Sequence, residues 1–231
     1  MDTTPYQQLA REVLGGEFNN LQLLITALTH RSYLNEHKKS VSAHNERLEF
    51  LGDAVLELVV TEYLYTNYSE PEGILTNWRS SLVRTESISA AANRLGYEPL
   101  LRLSRGEKRG SERARMQILA NAFEAVLGAL YIERGYEACR EFVTANLLTT
   151  FGSILETGSW MDPKSRLQEV IQGEGGSTPQ YRVLSEVGPD HEKTFTVGVY
   201  VDDKLLGEGQ GPSKQTAQVA AAQAALSGLT K

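Results

Sequence analysis

Residues 45–53 read Asn45-Glu46-Arg47-Leu48-Glu49-Phe50-Leu51-Gly52-Asp53. At about 100° per residue on a helix, Glu46, Glu49 and Asp53 fall within an arc of roughly 60°. Leu48, Leu51 and Val55 lie on the other side, and Leu58 and Val59 extend that apolar stripe. A helix with one acidic and one apolar face is predicted, with Asn45 placed to cap it. Glu49 and Asp53 are like charges four residues apart, an arrangement that destabilises a bare helix. No Lys or Arg three or four residues away on that face offsets them. A solvated acidic surface is the plain alternative. Two neighbours speak for a site instead. Phe50 projects on the acidic side, as a partner surface would require, and Gly52 stands mid-helix at a cost of about 1 kcal/mol against alanine. Such a glycine implies that another backbone or a ligand comes close.

A second helix supports this. In Ile118-Leu119-Ala120-Asn121-Ala122-Phe123-Glu124-Ala125, Asn121 and Glu124 share a face otherwise lined with small residues. Hard oxygen ligands of this kind suit Mg²⁺, which prefers octahedral oxygen coordination and keeps several waters. Two such ions about 3.5–4 Å apart can activate a water and stabilise the leaving oxygen of a phosphodiester. None of the four histidines (His30, His37, His44 and His191) has the spacing of a zinc motif. His30, at a predicted helix end, reads as a packed or capping residue.

Further stripes at helical spacing, Leu21/Leu24/Ile25/Leu28 and Ile118/Ala122/Val126/Leu130, make residues 1–151 an all-α domain. Gly152-Ser153 and Thr157-Gly158-Ser159 mark residues 152–161 as a linker. In residues 162–231 the period changes. A short helix over 164–172 precedes strands at Tyr181–Leu184 and Phe195–Val201, and Val187-Gly188-Pro189-Asp190-His191 is turn chemistry between them. Asp202-Asp203 is a tight hairpin into Lys204–Glu208, and Pro212 opens an alanine-rich helix to about Leu226 with Ser213 near its start. The predicted fold is therefore multidomain: all-α, then a small α+β domain of order α-β-β-β-α.

Composition by itself points away from nucleic acid. The net charge is −6, with 16 Lys+Arg against 20 Asp+Glu in residues 1–161 and 7 against 9 in residues 162–231. Nucleic-acid binders usually carry a basic footprint, so any such function must rest on local patches and metal ions. The dense basic run Arg105, Lys108, Arg109, Arg113 and Arg115 is either a solvated loop or a phosphate-steering patch ahead of the Asn121/Glu124 helix. No apolar run approaches the ~18 residues that span a bilayer, and Met1-Asp2-Thr3-Thr4-Pro5 shows no secretory pattern. The single cysteine, Cys139, fits a reducing, cytoplasmic setting.

The nine residues 45–53 match the signature of the ribonuclease III family throughout. Thr29-His30-Arg31-Ser32, Glu72-Gly73 and Leu119–Ala125 resemble its other blocks in order, and the second domain resembles a double-stranded-RNA-binding domain. The resemblance implies a homodimeric, Mg²⁺-dependent endoribonuclease, with Mn²⁺ as a substitute. Each subunit would cut one strand of an RNA duplex, leaving 5′-phosphate and 3′-hydroxyl ends with short 3′ overhangs. Ribosomal and other structured RNA precursors would be its substrates. Glu49, Asp53 and Glu124 would hold the metal, Glu46 and Glu72 would flank it in second-metal or substrate-positioning roles, and Phe50 would enter a pocket of the partner. Asn121 stands where many members carry a ligating aspartate; its amide can still coordinate or orient a metal-bound water, without a negative charge. In the second domain the resemblance places Gln168 and Glu169 at one minor groove and the loop with His191 at the next. Ser213, Lys214 and Gln215 would meet the phosphates between, at a helix N-terminus. Family members usually place three basic residues along that helix; here Lys214, Gln215 and Gln218 leave one. Weak binding by the isolated domain, with a shallow salt dependence, is the expectation.

Overall fold

The acidic stretch lies on a helix of 22 residues in a computed structural model that describes residues 2–37, 43–158, 160–189 and 192–229. The chain forms two compact units, Met1–Ile154 and Leu155–Lys231. The first is helical: α1 (Thr4–Glu12), α2 (Leu21–Ala27), α3 (Arg31–Glu36), α4 (Glu46–Asn67), α5 (Glu72–Val83), α6 (Thr85–Arg94), α7 (Glu112–Asn146) and α8 (Phe151–Thr157), the last running past its end. Among the described residues, its sole strand-like pairing is a bridge between Thr29 and Arg102.

The long helices α4 and α7 form the centre, with α2, α5 and α6 packed around them. Leu56 and Val60 of α4 and Ala122, Phe123, Val126 and Leu130 of α7 are fully buried. What brings the two together so closely is a pair of glycines. A Cβ on Gly52 would sit 1.7 Å from the Glu124 carbonyl oxygen, and one on Gly128 would sit 2.2 Å from the Leu48 carbonyl oxygen. The mid-helix glycine of the sequence is thus a crossing point of two backbones. At Gly135 (φ 77°) α7 leaves helical geometry and redirects.

Three local expectations change. Leu58 is 56% exposed rather than core, because α4 carries a second apolar face outside the packed one. Asn45 holds the N-cap position without a side-chain bond to the helix. Its backbone is already helical (φ −77°, ψ −16°), whereas a capping side chain needs an extended residue. Finally, α8 occupies the first part of the stretch read as a linker. Phe151 is buried edge-on against Tyr63, Tyr68 and Trp78, with ring centroids 5.3–6.4 Å away, and that anchoring keeps the chain helical through Thr157 despite the glycine and serine beside it.

In the second unit, α9 (Pro163–Gly173) and α10 (Lys214–Leu229) accompany an antiparallel sheet of β1 (Gln180–Val187), β2 (Thr194–Val201) and β3 (Lys204–Gly211), in the order β1-β2-β3. Asp202 and Asp203 turn the β2–β3 hairpin at φ 47° and 61°, the left-handed pair that a two-residue turn needs and aspartate tolerates. Leu167, Ile171, Val197 and Val199 pack with Ala217, Ala221, Ala222 and Ala225; the alanines of α10 let the helix lie close on β3. The helix begins at Lys214, two residues after Pro212. Ser213 is its cap, its hydroxyl accepting the Thr216 N–H at 3.1 Å.

Candidate functional site

The contact at Gly52 decides where the acidic residues go. Glu49 and Asp53 bracket Gly52 on α4, and Glu124 supplies the α7 backbone against it. Three carboxylates therefore meet across one helix crossing. Burial, followed by the charges of Asp53 and Glu49, pushes Glu124 up to about 8. Burial, then Glu46 and Asp53, also raises Glu49, and a hydrogen bond from Asn121 partly offsets this. Among the described residues, no cationic side chain is one of the groups that shift either residue.

Asn121 has a defined orientation. Its Oδ1 accepts a hydrogen bond from Gln117 Nε2 at 2.7 Å, and its amide N–H₂ is left to donate to Glu49. The residue therefore sits beside Glu49 on the facing helix, with its oxygen already engaged by Gln117. Gln117 was not singled out from the sequence, although it stands four residues before Asn121 on the same helix, where polar pairs meet.

Glu46 differs from the other three acids. Arg31 Nη1 of α3 is 3.2 Å from its Oε1 and His44 Nδ1 is 3.8 Å from its Oε2. The acidic stripe is therefore compensated at its first position, by an arginine that no spacing along α4 could reveal. Glu72 begins α5 and borders a hollow of about 460 Å³ with Leu64, Tyr65, Leu75 and Arg79; it is absent from the charges that act on Glu49 and Glu124. His30 caps α3, its Nδ1 accepting the Ser32 N–H at 3.3 Å. In the basic run ahead of α7, Arg115 is held by Glu98 and by the Lys108 carbonyl.

Among the described residues no three His, Cys, Asp or Glu side chains converge tightly enough to cage a bare ion. The donor set still fits a divalent cation: all-oxygen, with Glu49 and Glu124 half-buried and Asp53 exposed, mutually repulsive, and with no countercharge acting on Glu49 or Glu124 among the described residues. Mg²⁺ dehydrates reluctantly and is held through one or two carboxylates and its own waters rather than in a closed cage.

On the second unit Gln168 and Glu169 are exposed on α9, and Ser213, Lys214 and Gln215 are exposed at the start of α10. Lys214 Nζ is 3.0 Å from Glu186 Oε1 and 5.5 Å from the Phe195 ring centroid. His191, assigned to the second minor groove, lies outside the described residues.

Two families match the chain: Ribonuclease-III-like over residues 20–151 and Double-stranded RNA binding motif over residues 163–229. Ribonuclease 3 of Latilactobacillus sakei is 42% identical over 233 residues, covering 99% of either chain. Ribonuclease 3 of Carboxydothermus hydrogenoformans is 43% identical, over 93% of this chain and 92% of its own length. A solved nuclease domain of ribonuclease III from Campylobacter jejuni, described for structural flexibility in a region involved in dimer formation, is 38% identical with a TM-score of 0.56; the match covers 63% of this chain and 98% of that one.

Proposed function

The chain belongs to the ribonuclease III family and is an endoribonuclease of double-stranded RNA; from that premise we propose that Glu49, Asp53 and Glu124 hold the divalent ion the family requires, and that this ion is Mg²⁺. The observation that carries this reading is the meeting of three carboxylates at the Gly52 crossing, two of them raised by burial and mutual repulsion with no cation among the described residues to offset it. When bound, such an ion polarises a phosphoryl oxygen and lowers the pKa of the attacking water. Asn121 orients Glu49, while Glu46, steadied by Arg31, and Glu72 position the strand at the edge. The products carry 5′-phosphate and 3′-hydroxyl ends, the substrates are ribosomal and other structured RNA precursors, and the setting is the cytosol. A long RNA duplex incubated in chelator-treated buffer should stay intact and be cut when Mg²⁺, or Mn²⁺ as substitute, is restored. Full cleavage in excess chelator would overturn the assignment.

Asn121→Asp tests the amide. A fourth carboxylate adds attraction for a cation, so the Mg²⁺ concentration giving half-maximal cleavage should fall several-fold. An unchanged requirement would mean that position 121 acts only through its hydrogen bonds.

The second unit is proposed to hold the duplex through Gln168 and Glu169, the loop bearing His191, and Ser213, Lys214 and Gln215. Assembly as a homodimer is supported by the outer face of α4, where Phe50, Leu58 and Tyr65 are 82%, 56% and 80% exposed. Apolar side chains of this size, in line along one helix, are unusual on a surface with nothing to cover it. Phe50→Asp should raise the dimer dissociation constant by roughly 30-fold or more, the scale of an aromatic anchor. Sedimentation across a concentration series reads this directly; an unshifted dimer would place the interface elsewhere.

A further inference from the structure

Lysine is scarce on the last helix of the RNA-binding unit, where Gln215 and Gln218 follow Lys214, and Lys214 is already 3.0 Å from the carboxylate of Glu186. The charge missing from α10 is supplied from α9. Lys164 reaches across to α10, with its Nζ 2.8 Å from Gln218 Oε1 and 4.9 Å from the centre of the Tyr181 ring. Its backbone N–H is bound by Asp162 Oδ1 at 3.0 Å, as part of the cap of α9. The ammonium is thus fixed at both ends of its side chain, half-buried, and set on the face of α10 one helical turn beyond Lys214. It borders an open hollow of about 310 Å³ between the two helices, together with Ser165, Gln168, Tyr181 and Gln215. Among the described residues, the one carboxylate on that hollow, Asp162, is engaged with the N–H groups of Lys164 and Ser165.

We propose that Lys164 is a phosphate-binding residue for duplex RNA: held by Gln218 and Tyr181, it carries the backbone contact that α10 lacks. The proposal rests on the reading that this face of the second unit meets RNA, since Gln168 and Gln215 line the same hollow. A lysine pinned in place loses less side-chain entropy on meeting a phosphate than one free in solvent. Gln218 then serves as a bracket for the ammonium instead of a lost contact, and the phosphate clamp has two cations drawn from two helices.

The test uses the full chain carrying Glu124→Gln, so that binding is read without cleavage, and a uniform RNA duplex titrated at several salt concentrations. Lys164→Gln keeps the length and a hydrogen-bonding end but removes the charge. It should weaken binding about 3- to 10-fold and reduce the slope of log K against log salt by about 0.9, the value per phosphate contact for duplex DNA. Lys164→Arg should restore the slope, and Lys204→Gln, at the β2–β3 hairpin, should leave it unchanged. An equal melting temperature for Lys164→Gln and its parent excludes a folding effect. If Lys214→Gln lowers the slope and Lys164→Gln does not, the proposal fails while the RNA-binding face stands. If neither changes it, that face is wrongly placed and the proposal falls with it.

Discussion

Glu124→Gln is expected to lower the rate of duplex cleavage by about 10²–10⁴-fold while leaving affinity for the duplex within about twofold. The range follows from the several kcal/mol of charge stabilisation that a correctly held metal contributes, at about 1.4 kcal/mol per decade of rate. Glutamine keeps the shape of the side chain and one oxygen, so packing at the crossing survives and the charge alone is lost. The same variant should behave differently in stability. Glu124 is pushed up to about 8, above its value in the unfolded chain. A carboxyl raised in this way contributes stability that is fully present below its unfolded pKa of about 4.3 and is lost as pH rises through its folded value. The metal-free protein should therefore lose melting temperature between about pH 4.5 and 8, and Glu124→Gln should flatten that decline. Because the group is only half-buried, the effect is discounted to about 1–3 kcal/mol. Saturating Mg²⁺ should restore the parent at pH 8 and leave the variant nearly unmoved. Retention of full cleavage by Glu124→Gln, or a pH decline identical in both proteins, would remove Glu124 from the metal site.

Much of the acidic cluster at the helix crossing is legible in the sequence, for a physical reason. A helix of period 3.6 puts Glu46, Glu49 and Asp53 on one face wherever the rest of the chain goes, and a glycine in mid-helix signals a contact that repays its conformational cost. The exposed Phe50 followed from the same period. What stayed hidden depends on residues far apart in sequence. Arg31 neutralises Glu46 only because α3 folds back beside α4. Phe151 extends the first unit because Tyr63, Tyr68 and Trp78 wait for it more than 70 residues upstream. Lys164 reaches Gln218 across 54 residues, and along the chain neither position advertises the other. Leu58 was misjudged for a subtler reason: periodicity assigns apolar residues to a face, yet α4 has two apolar faces and one of them is open. Asn45 shows the limit of residue preference, since a good capping side chain does not cap when its own backbone is already helical.

The second large effect is expected at Gly52, and its sign separates local propensity from packing. On an isolated helix, Gly52→Ala would stabilise by up to about 1 kcal/mol. In this fold the added methyl would stand 1.7 Å from the Glu124 carbonyl oxygen, 2.5 Å from its carbon and 2.9 Å from the Gly128 nitrogen. These are backbone atoms of a buried helix, so no rotamer change can give way, and the helices must part by an ångström or more. Overpacking of this severity belongs at the upper end of the usual 1–3 kcal/mol or beyond it. At about 2–4 °C per kcal/mol for a protein of this size, the melting temperature should fall by roughly 6–12 °C or more. Gly73→Ala is the matched control: that helical glycine has nothing within 4 Å of its would-be Cβ, and the change should be neutral or mildly stabilising. Activity should fall further than stability at Gly52, because Glu49 and Asp53 sit on one helix and Glu124 on the other. Separating the backbones separates the carboxylates even in molecules that remain folded. Cleavage by Gly52→Ala, measured well below its melting temperature, should therefore need more Mg²⁺ than the parent. If the variant is destabilised but its metal requirement is unchanged, the crossing is structural alone and the carboxylates take their geometry from elsewhere. If it is neither destabilised nor impaired, the two helices do not approach as closely as Gly52 and Gly128 imply.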